Sequence, residues 1–330
     1  VLLFKFLYVI FVRVSKMALI SIAMTTYNGE KFLREQIDSI LNQTYKDIEL
    51  VICDDCSKDS TREILKEYEK KDSRVHVFFN EQNLGFKKNF EKAISLCNGE
   101  YVALSDQDDV WELNHLEKLL NILGNADIAC GNAQLIDEKG QSLGLKLNQT
   151  DGLNYIPEKD NLVYRLIAGN GAFQGASMLI KRSFFQKALP IPEGVLFHDA
   201  WFAAASCFKN GINYTFDVIN NYRQHQTQIT SHKKSSYLTK IKDLIIRIYK
   251  KESYKTDRFA YIENIRSRFS VTEIQNKILD DCYKIQMMRA KKINFFQRLS
   301  VNLIFAKHYK EIYTQKNKKY MFSRMLKNLF

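Results

Sequence analysis

Ser105-Asp106-Gln107-Asp108-Asp109-Val110-Trp111 is the stretch that decides how this 330-residue chain is read. Before it stands Tyr101-Val102-Ala103-Leu104, a short run of strand formers. After it, from Glu112 to Asn121, Leu113, Leu116 and Leu120 recur at helical spacing. Three carboxylates thus occupy a tight turn at the carboxyl end of a predicted strand. Ligands of open α/β sheets lie beyond that end of the strands, and clustered carboxylate oxygens suit hard divalent cations that also hold phosphates. The stretch reads as a metal and diphosphate site. A solvated acidic turn is the competing reading, which a lone Asp-x-Asp does not exclude.

Working outward, the preceding sequence alternates strand and helix. Ala18 to Met24 is β-rich and ends in turn chemistry at Thr25-Thr26-Tyr27-Asn28-Gly29; Glu30 to Gln43 follows as a helix with Leu33, Ile37, Ile40 and Leu41 on one face. Ile48 to Ile52 is the second strand, closing on Asp54-Asp55, and Ser60-Thr61-Arg62-Glu63 predicts a capping box for a helix to Lys71. Val75 to Phe79 is a strand, Asn83-Leu84-Gly85 a turn, and Phe86 to Leu96 a helix. Strands alternating with helices imply parallel pairing through right-handed crossovers. No Gly-x-Gly-x-x-Gly follows the first strand, which argues against a dinucleotide cofactor. Downstream, Ile128 to Gln134 and Ala176 to Lys181 read as strands around a region holding Gly169, Gly171 and Gly175. A helix opens at Phe197-His198-Asp199, and Asn213 to Arg223 reads as strand.

The net charge of +12 is unevenly spread. Residues up to Ile229 hold 25 Lys and Arg against 29 Asp and Glu; from Thr230 onward there are 24 against 8. A nearly neutral body therefore carries a basic, Lys-rich helical region, where Ile241, Leu244, Ile245 and Ile248 share one face and Phe296, Leu299 and Leu303 repeat the pattern. Six cysteines without a secretory signal suit a reducing compartment. Cys53-Asp54-Asp55-Cys56 has redox spacing, yet two intervening carboxylates oppose thiolate formation. Val1 to Val14 is apolar but broken by Lys5 and Arg13, short of the roughly 18 to 20 apolar residues of a membrane span; we expect Met17 to be the natural start and residues 1–16 to be leader.

Thr25-Thr26-Tyr27-Asn28, Asp54-Asp55 with its Ser57-Lys58-Asp59-Ser60 loop, Asn83-Leu84-Gly85, and Ser105 to Trp111 come in an order that resembles the bacterial family-2 glycosyltransferases of the GT-A fold. His198-Asp199 and Tyr222-Arg223-Gln224-His225 extend the likeness, which covers roughly Ala18 to Thr230 and is nearest to the rhamnosyltransferase-like branch of surface polysaccharide synthesis. The resemblance implies a Rossmann-like, mixed, mainly parallel sheet flanked by helices over residues 17–230, followed by a basic helical region over 231–330. It implies an inverting, Mn²⁺- or Mg²⁺-dependent hexosyltransferase. The donor would be a nucleoside-diphosphate sugar, dTDP-rhamnose or a UDP-sugar. The acceptor would be a saccharide or a polyprenyl-diphosphate-linked sugar.

By the same resemblance Asp108 ligates the metal, with His225 as a further ligand, and Asp106 orients ribose. Asp109 either joins them or braces the loop, with Trp111 beside it as a secondary site residue. Tyr27 stacks on the base, Thr25 hydrogen-bonds it, and Asp55 accepts the imide proton that uracil and thymine share and cytosine lacks. Glu30 positions the nucleotide or caps a helix, and Lys87 pairs with a phosphate or is an exposed lysine. Asp199 is the catalytic base, in an apolar setting of Phe197, Trp201 and Phe202; His198 stands where the family's residue is usually acidic.

The basic helices suit an anionic inner-leaflet surface, or else pack on the catalytic domain. That places the chain in the cytoplasm, peripheral on the cell membrane in the first case. Nucleotidyl transfer is the rival enzyme class, but Thr25 to Lys31 is not its Gly-rich basic loop. A nucleic-acid binder would leave the acidic sheet edge unexplained. The sugar, the acceptor linkage and the oligomeric state are not written in the sequence.

Overall fold

The computed structural model describes residues 18–151, 153, 155–168, 173–225, 257–289 and 294–312. The expectations for residues 1–16, for Gly169 and Gly171, and for the helix at Ile241 to Ile248 lie outside the described residues.

Strands β1 (Ile20–Thr26), β2 (Ile48–Asp54), β3 (Val75–Phe79) and β4 (Tyr101–Ser105) are separated by helices α1 (Leu33–Leu41), α2 (Thr61–Lys71) and α3 (Phe86–Ser95). They lie in the order β3-β2-β1-β4, all parallel, as helical crossovers require. Burial follows position. Every residue of β2 is buried between two neighbours and two helical layers, whereas β3, at the edge, alternates. Along β1, Ile20, Ile22 and Met24 join Leu33, Ile37 and Ile40 of α1 on one face, while Ala23 faces Phe90 and Ile94 of α3 on the other.

The second half comprises β5 (Val110–Trp111), α4 (His115–Leu123), β6 (Ile128–Ile136), β7 (Ser142–Lys146), α5 (Leu147–Asp151), α6 (Lys159–Val163), β8 (Met178–Lys181), α7 (Arg182–Ala188), α8 (His198–Ser206) and β9 (Ile212–Arg223). The sheet continues β4-β8-β6-β9-β5, with β7 beside β6. Strands β5, β7 and β8 run against the other six, so the sheet is mixed and mainly parallel, as expected.

Two local expectations differ. The helix predicted from Glu112 starts at His115, because Val110 and Trp111 are drawn into pairing with Asn221 and Asn220 of β9. The capping box at Ser60–Glu63 does not form. The Ser60 N–H instead meets the Glu30 carboxylate at 2.8 Å and the Thr61 N–H meets Asp59 at 3.1 Å.

Four further helices, α9 (Arg258–Arg268), α10 (Glu273–Arg289), α11 (Phe295–Lys307) and α12 (Tyr309–Ile312), close the described fold. Tyr261, Ile265, Cys282, Ile285 and Phe305 are buried in the same core as Phe184 and Trp201. The Trp201 and Tyr261 rings meet edge to face at 5.9 Å. These helices thus share the core of the sheet. No helix among the described residues is long and apolar enough to cross a membrane.

Candidate active site

Strands β1, β2 and β4 end side by side, with Thr26 opposite Asp54 and Met24 opposite Ser105. The turns that follow them are bonded to one another. Buried Asp54 accepts from Thr26 Oγ1 at 3.1 Å and from the Ser57 N–H at 3.1 Å, and Ser57 Oγ accepts from the Asn28 N–H at 2.9 Å. Asn28 and Cys56 both adopt left-handed backbone, φ 49° and 66°, which these side-chain bonds hold in place. Thr25 ends half-buried and Tyr27 stands 50% exposed at the mouth. Asp55, 3% exposed, organises the Asn83-Leu84-Gly85 turn. Its Oδ1 accepts from Asn80 Nδ2 at 2.8 Å and the Leu84 N–H at 2.7 Å, and its Oδ2 from the Gly85 N–H at 2.9 Å. A carboxylate offers about four acceptor positions, so one on Oδ2 stays open to a base imide. Of the cysteine pair, Cys53 is buried and its thiol is pushed up to about 11 by burial, which disfavours a thiolate there.

The acidic loop crosses this edge and is held from both sides. Gln107 exchanges hydrogen bonds with the Tyr27 backbone, accepting from its N–H at 2.8 Å and donating to its carbonyl at 3.1 Å. Gly29 permits this contact, since a Cβ there would lie 2.3 Å from Gln107 Oε1. From the far side, antiparallel pairing of β5 with β9 runs residues 223–225 back along the loop. Arg223, 1% exposed, donates from Nε to the Asp108 carbonyl at 2.9 Å, pairs with Glu35 at 2.6 Å and lies 4.6 Å over the Phe32 ring. Its backbone N–H donates to Asp109 Oδ1 at 3.1 Å, and Asn220 Nδ2 donates to Asp109 Oδ2 at 2.9 Å. Asp109 is fully buried, and burial, with the charges of Asp108 and Asp106, holds its carboxyl well above the usual range. This geometry is that of a brace. Trp111, expected as a secondary site residue, is also buried, stacked flat on His115 at 3.9 Å.

Asp108 faces the cleft. Its Oδ2 lies 2.8 Å from His225 Nε2, across 117 positions of chain. Asp106 is half-buried, and its carboxyl is raised to about 7, first by burial and then by the charges of Asp108 and Asp199. Asp106 therefore feels the charge of Asp199, although that residue comes from α8. Asp199 does not sit in the expected apolar pocket. Its Oδ1 accepts from the Ala200 N–H at 2.6 Å and its Oδ2 from the Gly175 N–H at 3.1 Å, half-buried at the first turn of the helix. The apolar setting belongs to His198 instead, caged by Phe90 at 4.1 Å and by Phe86 and Phe202 at 6.3 and 6.1 Å. Burial lowers its pKa, the charge of Asp199 opposing, and neither ring nitrogen has a partner.

Gly175 is wedged between these two residues, for a Cβ there would meet His198 Nε2 at 2.8 Å. Gly175→Ala is expected to turn Asp199 away and to lower kcat about tenfold or more, with the donor KM unchanged. Overpacking of this kind costs about 1–3 kcal/mol. Steady-state kinetics and thermal denaturation check both, and adding His198→Ala should recover the stability.

Asn28, Gly29, Phe32, Gln107, Asp108 and His225 line a cavity of about 320 Å³ at this edge. Among the described residues no three His, Cys, Asp or Glu side chains cluster to hold a metal. The Asp108–His225 pair nevertheless fits one. Its 2.8 Å separation is that of adjacent ligands in an octahedral shell with bonds of about 2.1 Å, and Mg²⁺-type sites draw their other ligands from waters and substrate phosphates. The charges of Asp108 and Asp199 that bear on Asp106 also favour a cation nearby.

Of the predicted site residues, Asp108 and His225 line this cavity and Tyr27 is bonded to its Gln107, while Asp106 and Asp199 are not among its lining residues. Nor is Lys87: its ammonium donates to the carbonyls of Glu193 and Val195 at 3.1 and 2.6 Å, strapping the segment before α8. Glu30 is engaged with the amino end of α2. The roles of Gln107 and Arg223 were not legible, although both lie inside motifs already singled out.

The family model of glycosyl transferase family 2 matches residues 21–189. TuaG of Bacillus subtilis (strain 168), named for teichuronic acid biosynthesis, is 34% identical over 139 residues, 42% of this chain and 55% of its own, so the match spans little more than half of that relative. UDP-Glc:alpha-D-GlcNAc-diphosphoundecaprenol beta-1,3-glucosyltransferase WfgD of Escherichia coli is 28% identical over 65% of this chain and 81% of its own. Among solved structures, the mannosyltransferase PcManGT of Pyrobaculum calidifontis, in complex with GDP-Man and Mn²⁺, superposes with a TM-score of 0.54 at 14% identity, covering 94% of this chain and 81% of that one. That likeness shows the shared GT-A fold.

Proposed function

The chain belongs to glycosyl transferase family 2, and we propose that it moves a sugar, with inversion, from a UDP- or dTDP-sugar, dTDP-rhamnose among them, to a hydroxyl of a lipid-linked cell-surface saccharide. One observation carries this reading. Asp108 Oδ2 and His225 Nε2, from two distant parts of the chain, meet at 2.8 Å beside a cavity at the carboxyl edge of the sheet. Such a pair can hold a cation against a negatively charged leaving group.

Tyr27, exposed at the mouth and fixed by Gln107, is the platform on which the base stacks, and the open acceptor position of Asp55 takes the imide N–H of uracil or thymine. Thr25 lies beside them at the end of β1. Asp106 orients the ribose. Asp108 and His225 would hold Mn²⁺ or Mg²⁺, which when bound neutralises charge on the departing diphosphate. Asp199, aimed by the Gly175 and Ala200 amides, takes the proton of the acceptor hydroxyl as its oxygen attacks the anomeric carbon from the face opposite the leaving group. A single displacement of this kind leaves no covalent intermediate on the enzyme. The likeness to WfgD, whose name specifies a diphosphoundecaprenol-linked acceptor, supports an acceptor of that class.

Slow hydrolysis of UDP-sugars, dTDP-rhamnose and CDP-sugars in the presence of Mn²⁺ tests the reading. Uridine or thymidine donors should be turned over and cytidine donors refused. Turnover of none of them, together with tight, salt-sensitive DNA binding, would overturn it.

A further inference from the structure

Behind Asp55 runs a buried chain of polar side chains that ends on an ammonium. Asn80, which directly follows β3, and Asn89, on α3, are 5% and 1% exposed. Asn80 Nδ2 donates to Asp55 Oδ1 and to Asn89 Oδ1, both at 2.8 Å, while Asn80 Oδ1 accepts from Nζ of half-buried Lys92, one turn beyond Asn89, at 2.7 Å. The Asn80 N–H donates to the Asp54 carbonyl at 2.9 Å and Asn89 Nδ2 to the Cys53 carbonyl at 2.8 Å, so both amides are tied to the end of β2.

Chemistry fixes the direction of this chain. An ionised carboxylate only accepts and an ammonium only donates, so the Asn80 amide turns its nitrogen to Asp55 and its oxygen to Lys92. Reversed, it would set acceptor against acceptor and donor against donor. The consequence falls on Asp55. With the Asn80 and Leu84 donors both on Oδ1, that oxygen is full. Oδ2 carries the Gly85 N–H and keeps the open position. Telling an imide N–H from the N3 acceptor of cytosine requires that this one oxygen stay where it is.

We propose that Asn80 and Lys92 are positioning residues for base selectivity, Lys92 fixing the Asn80 amide and the amide fixing Asp55 with Oδ2 left to the base. The proposal rests on the reading of Asp55 as acceptor of the imide N–H. Calorimetric titration of the full chain with UDP and with CDP, both in Mn²⁺, tests it without any turnover. The wild-type protein should prefer UDP. Asn80→Leu, close in size, should lower the ratio of UDP to CDP affinity about tenfold or more. Lys92→Glu accepts where the ammonium donates and so turns the amide over; it should lower the ratio in the same direction. Lys92→Arg, which still donates, should keep the ratio of the parent.

If the two residues only support the fold, Asn80→Leu and Lys92→Glu will melt at lower temperature and discriminate as the parent does. A ratio unchanged in either variant would overturn the proposal and leave the reading of Asp55 standing. Should Asn80→Leu not fold, the contrast between Lys92→Glu and Lys92→Arg decides alone. A wild-type protein that binds CDP as well as UDP would sink the reading of Asp55, and the proposal with it.

Discussion

Asp199→Asn is expected to lower kcat by about 10²- to 10⁴-fold, or about 2.7–5.4 kcal/mol of barrier, while donor affinity is retained. The substitution is close to isosteric, and asparagine serves at helix amino termini as well as aspartate does. One side-chain oxygen stays available to the Ala200 or the Gly175 N–H, so α8 should keep its place. What disappears is the capacity to accept a proton. His198 next to it does not substitute, because it is sealed among Phe86, Phe90 and Phe202. Single-turnover transfer and calorimetric titration with UDP separate the two effects. A variant within about fivefold of wild type would move the base elsewhere, and a variant that no longer binds UDP would make Asp199 a structural residue.

The sheet was largely legible because its signals are local. β1 to β4 each end in polar turn residues, and the alternation of strands with helices implies their parallel order. The site was legible only where side chains cluster in sequence or resemble a family motif, as at Asp106, Asp108 and His225. Long-range bonds were not. Nothing near Lys87 in the sequence announces the carbonyls of Glu193 and Val195, and nothing near Ser60 announces that Glu30 displaces its capping box. Arg223 stands in a motif singled out above, yet nothing in the sequence names its partners; it is buried against Glu35 and the Asp108 carbonyl, which burial of a guanidinium requires. For the helices after residue 257 the sequence left two expectations open, an anionic surface or packing on the catalytic domain, and Tyr261, Ile265, Cys282 and Phe305 enter the main core.

Asp108→Asn should remove the dependence of donor binding on added cation. In the wild-type protein Mn²⁺ is expected to tighten UDP binding; in the variant, UDP affinity in Mn²⁺ should fall about 10²-fold or more and match the cation-free value. The nucleoside uridine should bind both proteins equally, because its contacts are with Tyr27, Thr25 and Asp55 rather than with the diphosphate end. The loop itself should not collapse. Its path is fixed by Arg223 through the Asp108 carbonyl and by Asp109 through the Arg223 and Asn220 donors, none of which uses the Asp108 side chain. The asparagine oxygen can still face His225, so only the negative charge is lost. Asp109→Asn makes the contrast, since an amide nitrogen set against either the Arg223 N–H or Asn220 Nδ2 leaves buried donors opposed, and its effect should appear first as a lower melting temperature. If Asp108→Asn instead weakens uridine and UDP alike, or leaves the response to Mn²⁺ intact, then Asp108 shapes the pocket and the cation site lies elsewhere.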